Sequence, residues 1–162
     1  MTALRFLKPA IFPLAALATA LAVSACSMGG GSTAGLALAP GLSARMDQPG
    51  AVLDKAQAIG IINAYRATNN LPPLVSDPAL DGTAQALADQ YAQTGTPPTT
   101  PQNLAGMKLS AGYATFAETF SGWRNSGQPS LVMSGSTVTR AGIAVVYEEN
   151  SPYGVYWVVI VG

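Results

Sequence analysis

The stretch Ile61–Ala92, IINAYRATNNLPPLVSDPALDGTAQALADQYA, predicts a helix, a proline-rich connector and a second helix. Apolar side chains at helical spacing predict the first helix over residues 51–69, and the double proline of the connector ends it, because a residue before proline leaves the helical region. Asp77 is a natural N-cap for the second helix, predicted over residues 79–93, since its carboxylate can accept the free N–H groups of the first turn. One apolar stripe of this second helix must be buried: Leu80, Ala84, Leu87 and Tyr91.

The residues after the second helix predict a loop, a third helix and two strands. Residues 96–110 are rich in proline, threonine and glycine and predict a loop, whereas Thr115 and Glu118 form a T-x-x-E capping box that opens the third helix. Strands are predicted over residues 140–147 and 155–161, and the second is apolar on both alternations, so both of its faces should be covered. We therefore predict an α+β fold, a three-layer α-β-α sandwich with a C-terminal antiparallel β-hairpin in its central sheet.

The N-terminus is typical of an exported lipoprotein precursor. A basic start is followed by a short apolar run, and Val23-Ser24-Ala25-Cys26 resembles a lipobox, where cleavage leaves a cysteine for lipidation. The alternative is ordinary cleavage after Ala25 with a free thiol. Lipidation would make the membrane a partner and place the protein in the cell envelope, on the outer membrane in a Gram-negative cell. We predict three segments: a lipoprotein signal peptide over residues 1–25, lipidated Cys26 with a flexible tether over residues 26–50, and one folded domain over residues 51–162.

The composition excludes several classes of function. Charged residues make up only 10 % of the chain, and Lys+Arg and Asp+Glu are both 8, so no basic surface for nucleic acid is predicted. The chain has no histidine, the usual general base and the commonest zinc ligand, and its single cysteine cannot form an intrachain disulfide. We therefore predict no catalytic residues, no metal ligands and no cofactor.

Several short motifs resemble one family along the whole predicted domain. Asn63-Ala64-Tyr65-Arg66, Leu71-Pro72-Pro73-Leu74 and Asp77-Pro78 resemble the opening of the CAP superfamily in its short bacterial, SCP-like form. This superfamily is the cysteine-rich secretory, antigen 5 and pathogenesis-related group. Trp123-Arg124-Asn125-Ser126 resembles the family's W-x-x-S, and Tyr156-Trp157 resembles its closing strand. The resemblance covers residues 51–162 and implies a CAP-like sandwich.

The same resemblance shows where this chain departs from its relatives. Many of them hold a divalent metal with two histidines and a paired carboxylate. Here Gln102 aligns with the glutamate of the family's G-E-N-I-A motif, and Pro129 aligns with the histidine of its S-P-G-H motif. We therefore expect that the metal site is lost. Gln102 and Asn103 are candidates for ligand contact at the cavity, or, on the simpler interpretation, for bracing its loop by satisfying buried backbone groups.

The leading functional hypothesis is a membrane-anchored, non-catalytic binding module for an envelope protein, a peptide or a small apolar ligand. The sterol and fatty-acid binding of relatives is what the resemblance adds to this hypothesis. A second hypothesis is a hydrolase with a non-histidine site, for example a serine paired with Lys55 or Lys108, and a third is a purely structural envelope component. The capping box accounts for the acidic side chain of Glu118 without a catalytic role. The hydrolase hypothesis requires a Ser or Thr hydroxyl within hydrogen-bond reach of Lys55, Lys108 or Glu118 inside a concave pocket. The sequence does not determine the oligomeric state.

Overall fold

A computed structural model describes residues 39–127 and 130–162 of the chain. The predicted signal peptide, Cys26 and Pro129 lie outside the described residues. The described part contains the following elements: α1 Pro40–Ser43, α2 Lys55–Thr68, β1 Val75–Ser76, α3 Pro78–Thr94, β2 Gly106–Ala111, α4 Phe116–Asn125, α5 Leu131–Ser134, β3 Arg140–Tyr147 and β4 Val155–Val161. No helix in this part is both long enough and apolar enough to cross a membrane.

One four-stranded sheet has the order β1-β3-β4-β2. β3 and β4 form an antiparallel pair in which Ile143 faces Val159, and this pair is the predicted C-terminal hairpin. On the other side of β4, β2 is also antiparallel, with Lys108 opposite Val159, whereas β1 adds two residues parallel to β3. Every residue of β4 is buried, as its continuous apolar run predicts.

Helices cover both faces of the sheet, so the predicted α-β-α sandwich is confirmed. The stripe of α3 packs on one face, where its side chains meet Ala144, Val158 and Ile160. On the opposite face, α2, α4 and α5 enclose the larger cluster around Phe116 and Trp157. α3 lies against β3 so closely that a Cβ added at Gly142 would be 2.2 Å from the carbonyl carbon of Leu80.

The predicted capping residues form the hydrogen bonds expected of them. The Asp77 carboxylate accepts the N–H of Ala79 at 2.8 Å, and α3 ends at Gly95 in the left-handed conformation, φ 64°. Thr115 and Glu118 form the reciprocal capping box of α4. α2 is shorter than predicted, because the carboxylate of Asp54 caps it and the helix begins at Lys55 rather than at residue 51.

Two predictions about irregular segments are wrong. The loop predicted over residues 96–110 ends before Gly106, because Gly106–Ala111 pairs along its whole length with β4 and supplies the partner that this buried strand requires. The tether predicted up to residue 50 is also too long. Leu42 and Met46 are 7 % and 3 % exposed and join the larger core cluster, and the N–H of Met46 donates to the carbonyl of Ala114 at 2.7 Å. The described chain is therefore folded from Pro40 onward.

Arg66 is the largest buried charge in the described part of the chain, with 0 % of its surface exposed. Its guanidinium donates to the carbonyl of Pro72 from Nε at 3.0 Å and from Nη2 at 2.8 Å. It also donates to Val132 at 3.1 Å and to Gly135 at 2.8 Å. One side chain thereby joins α2, the proline connector and α5, and burial lowers the pKa of Arg66 from its usual value.

Candidate functional site

A cleft of about 630 Å³ opens between β2, α4 and the loop at residues 98–100. Its volume lies within the range of small-molecule sites in proteins, roughly 300–1,000 Å³. Apolar and aromatic side chains form part of the wall, and polar side chains from β2 and from the end of α4 lie among them. Six of the lining residues matter for its chemistry: Lys108, Leu109, Tyr113, Trp123, Ser126 and Ser130.

Lys108 lies at the floor of this cleft and is only 9 % exposed. Its Nζ donates to the carbonyl of Trp123 at 2.9 Å and to Ser126 Oγ at 2.6 Å. Both partners belong to the C-terminal end of α4, where the helix dipole favours a cation. Burial lowers the pKa of Lys108 from its ordinary value of 10.5. Through these two hydrogen bonds, Lys108 links β2 to the C-terminal end of α4.

Lys108 is held by dipoles and not by an opposite charge. The ion pairs of the described residues are Arg45–Asp47, Lys55–Asp81 and Arg140–Asp77, and none involves Lys108. An ammonium group has three N–H donors, and two of them are used by Trp123 and Ser126. Among the described residues the third N–H has no protein acceptor, so it remains for a molecule in the cleft.

One serine hydroxyl, Ser126 Oγ, contacts this ammonium group, and a second, Ser130 Oγ, lines the same cleft. Ser126 Oγ also donates to the carbonyl of Trp123 at 3.0 Å. Ser130 Oγ is buried and has no hydrogen-bond partner within residues 39–127 and 130–162. The contact between Lys108 and Ser126 meets the condition set for a non-histidine hydrolase. Lys55 does not meet it, since its Nζ pairs with Asp81 at 3.3 Å.

An aromatic wall separates the cleft from a second groove of about 650 Å³ along α4. Tyr113 lines both and is 41 % exposed, and its ring packs against Gly122, where an added Cβ would be 3.1 Å from the ring. The indole of Trp123 is fixed by a hydrogen bond, since its Nε1 donates to the carbonyl of Leu109 at 3.0 Å. Glu118 lines the second groove, but its carboxylate is engaged in the capping box.

The structure places the residues expected at the cavity elsewhere. Gln102 and Asn103 lie in an exposed turn before β2 and do not line the cleft. Ligand contact was one of two alternatives for this pair, with loop bracing the simpler one. In this cleft the strand that begins at Gly106 brings Lys108, and neither amide, to the floor. The alternation of Met107, Lys108 and Leu109 is the sequence signal that could have indicated a half-buried strand there.

The donor groups of this cleft do not fit a divalent metal ion. Its polar side chains are an ammonium group, the phenol of Tyr113, and serine and threonine hydroxyls, and no carboxylate or imidazole of the described residues lines it. A buried ammonium group repels a cation, and the hard divalent metals prefer carboxylate oxygens. Within the described residues no three His, Cys, Asp or Glu side chains come together as a metal cluster.

Comparisons with known proteins agree with this architecture. The family model of the cysteine-rich secretory protein family, CAP, matches residues 59–161. No curated protein matches the chain significantly.

Two solved structures share the fold. The crystal structure of MpPR-1i aligns with a TM-score of 0.50 at 19 % identity over 65 % of this chain and 87 % of its own. An extracellular protein containing a SCP domain from Bacillus anthracis str. Ames aligns with a TM-score of 0.52 at 19 % identity over 66 % of this chain. This chain covers 39 % of that larger protein. At such identities the structures show a shared fold alone, and the match of the family model decides the family: this chain belongs to the cysteine-rich secretory protein, or CAP, family.

Proposed function

We propose that this CAP-domain protein is an exported, lipid-anchored binding protein whose cleft takes a small amphipathic ligand with a carboxylate head group. The observation that carries the proposal is the burial of Lys108 at the floor of an open cleft, with no counter-ion among residues 39–127 and 130–162. This proposal refines the hypothesis of a binding module for an envelope protein, a peptide or a small apolar ligand.

The physical argument rests on the free energy of a buried charge. An ion removed from water loses several kcal/mol of solvation in a protein, and the dipoles of Trp123 and Ser126 offset only part of this loss. A ligand carboxylate would accept the remaining N–H of Lys108 in a charge-assisted hydrogen bond, which is about twice as strong as a neutral one. Trp123 and Tyr113 provide an apolar wall for the rest of such a ligand.

The proposed location rests on the N-terminal sequence and on one structural relative. Val23-Ser24-Ala25-Cys26 supports export and lipidation at Cys26. The relative from Bacillus anthracis is an extracellular protein. Several acyl chains on one cysteine would anchor the protein stably, since each buried methylene contributes about 0.8 kcal/mol.

Binding is tested by calorimetry on the full-length chain in lipid nanodiscs, with butyrate, hexanoate and phenylacetate as ligands and the matched alcohols as controls. We expect each carboxylate to bind at least about tenfold more tightly than its alcohol, and Lys108→Met to remove this preference. Arg124→Met, which removes an exposed cation from α4, should keep it. Equal affinity for acid and alcohol in the wild type, or an unchanged preference in folded Lys108→Met, would refute the proposal.

Anchoring is tested separately by fractionation and by mass spectrometry of the mature N-terminus. We expect Cys26→Ala to move the protein out of the membrane fraction, while Ser27→Ala leaves it there. A mature N-terminus without acyl mass, together with unchanged partitioning of Cys26→Ala, would indicate simple secretion.

A further inference from the structure

We infer that Ser126 is a nucleophile for acyl transfer and that Lys108 takes its proton, so the cleft cleaves small esters. The inference rests on the proposed occupancy of the same cleft and adds a reaction to it. It is carried by one contact, the 2.6 Å between Lys108 Nζ and Ser126 Oγ, inside a cavity that a ligand can enter.

The same positions of nitrogen and oxygen allow two arrangements of protons. With Lys108 charged, its ammonium donates to Ser126 Oγ and to the Trp123 carbonyl, while the serine hydroxyl donates to that same carbonyl. With Lys108 neutral, the amine still donates to Trp123, and its lone pair accepts the hydroxyl proton of Ser126. The second arrangement is the reactive one, and it requires no movement of the backbone.

Burial shifts the balance toward that second arrangement. A desolvated lysine loses its proton more readily than one in water, and the pKa of Lys108 is lowered for this reason. Serine–lysine pairs act by this principle, in which an amine adjacent to a hydroxyl replaces the usual imidazole base. The absence of histidine from the sequence therefore does not exclude nucleophilic catalysis.

The reaction balances without a cofactor. Ser126 Oγ forms a bond to the ester carbonyl carbon as its proton passes to Lys108 Nζ, and the carbonyl electron pair moves to oxygen. The tetrahedral intermediate then collapses, the C–O bond to the alcohol breaks, and the leaving alkoxide takes the proton from Lys108. Water, deprotonated by the neutral amine, attacks the acyl-serine and releases the carboxylic acid while the proton returns to Ser126. The product is a carboxylate, the group that the charged form of Lys108 is proposed to bind.

A purely structural role for the pair makes a different prediction. If Lys108 only links β2 to the end of α4, it does not need to accept a proton from Ser126, and Ser126 would be no more reactive than an ordinary serine hydroxyl in water. Reactivity toward an acyl-type reagent therefore separates the two roles, whereas stability alone does not.

The experiment treats the full-length chain with a fluorophosphonate between pH 7 and pH 10 and locates the adduct by peptide mass spectrometry. Hydrolysis of p-nitrophenyl butyrate is followed in parallel. We expect one adduct on Ser126, with a rate that rises with pH and levels off below 10.5, the ordinary pKa of lysine. Ser126→Ala should lose the adduct, whereas Ser136→Ala, which removes an exposed serine outside the cleft, should keep it.

Two variants of Lys108 complete the design. Lys108→Arg keeps the positive charge but cannot act as a base at these pH values, whereas Lys108→Met removes both the charge and the base. We expect each variant to slow the labelling of Ser126 about 100-fold or more. Circular dichroism confirms that each variant is folded. A folded wild type without an adduct on Ser126, an adduct on Ser130 instead, or Lys108→Arg labelled at the wild-type rate would overturn the inference. Carboxylate binding, measured on the same samples, distinguishes the two proposals. Carboxylate binding without an adduct on Ser126 refutes only the inference of catalysis, and an adduct without carboxylate binding refutes only the proposed function.

Discussion

Replacing Arg66 with methionine tests how this small domain joins its helices. Methionine keeps much of the length and apolar surface of the arginine stem but removes every donor. The carbonyls of Pro72, Val132 and Gly135 then lose their partners, and these carbonyls come from two segments that Arg66 alone bridges in this way.

The expected loss follows from these three carbonyl groups. A buried acceptor without a partner costs about 1–3 kcal/mol. Because methionine is uncharged, the variant no longer bears the desolvation penalty of a buried ion, and this offsets part of the loss. We therefore expect Arg66→Met to lower the free energy of unfolding by about 2–4 kcal/mol, a large part of the roughly 5–15 kcal/mol that holds a typical domain together.

Urea unfolding followed by tryptophan fluorescence measures this loss, since Trp123 and Trp157 are 4 % and 0 % exposed and report on the same core. With a urea dependence of about 2 kcal/mol per molar, the middle of the usual range, the midpoint should fall by roughly 1–2 M. Arg124→Met, at an exposed position of α4, should change stability by less than about 0.5 kcal/mol. A loss in Arg66→Met as small as that of Arg124→Met would refute the view that these carbonyls depend on Arg66.

Three further predictions use the same unfolding assay. Gly142→Ala should destabilise the protein by about 2–3 kcal/mol, because the added Cβ would be 2.2 Å from the backbone of Leu80. The control is Gly82→Ala, where nothing lies within 4 Å and which should stabilise by about 0.5–1 kcal/mol. A gain in stability for Gly142→Ala would contradict this packing. Thr115→Ala removes the N-cap of α4 and should lower stability by about 1 kcal/mol, and no change would mean that the capping box contributes nothing. Between neutral pH and 10.5, the stability of the wild type relative to Lys108→Met should rise with pH. The reason is that burial lowers the pKa of Lys108 in the folded state, so in this window the unfolded chain binds more protons than the folded one. A difference in stability that does not change with pH would contradict the lowered pKa.

The starts of α3 and α4 and the C-terminal hairpin could be predicted from sequence because their signals are local. Asp77 sits directly before Pro78 at the start of α3, and Thr115 and Glu118 are three residues apart in one capping box. The continuous apolar run of β4 predicts a strand covered on both faces. Each of these features depends on side chains and backbone groups within one turn or one strand, so tertiary context did not change them.

The placement of β2 was missed because proline and threonine dominate the segment before it. Placing the family's G-E-N-I-A motif on residues 102–105 put Pro101 at its glycine. The strand begins directly after this segment, at Gly106, where an added Cβ would lie 3.1 Å from the Cβ of Leu131.

The sequence by itself indicated the family through the motifs that resemble it, the three layers through local periodicity and capping, and the absence of histidine through composition. Only the tertiary structure decided what the candidate site contains. Lys108 and Ser126 are 18 residues apart, and Arg66 and Gly135 are 69 apart, and each pair meets only when the helices pack on the sheet. The physical reason is that side-chain hydrogen bonds across such separations depend on how strands and helices are placed in space, which the spacing of residues along a chain does not encode.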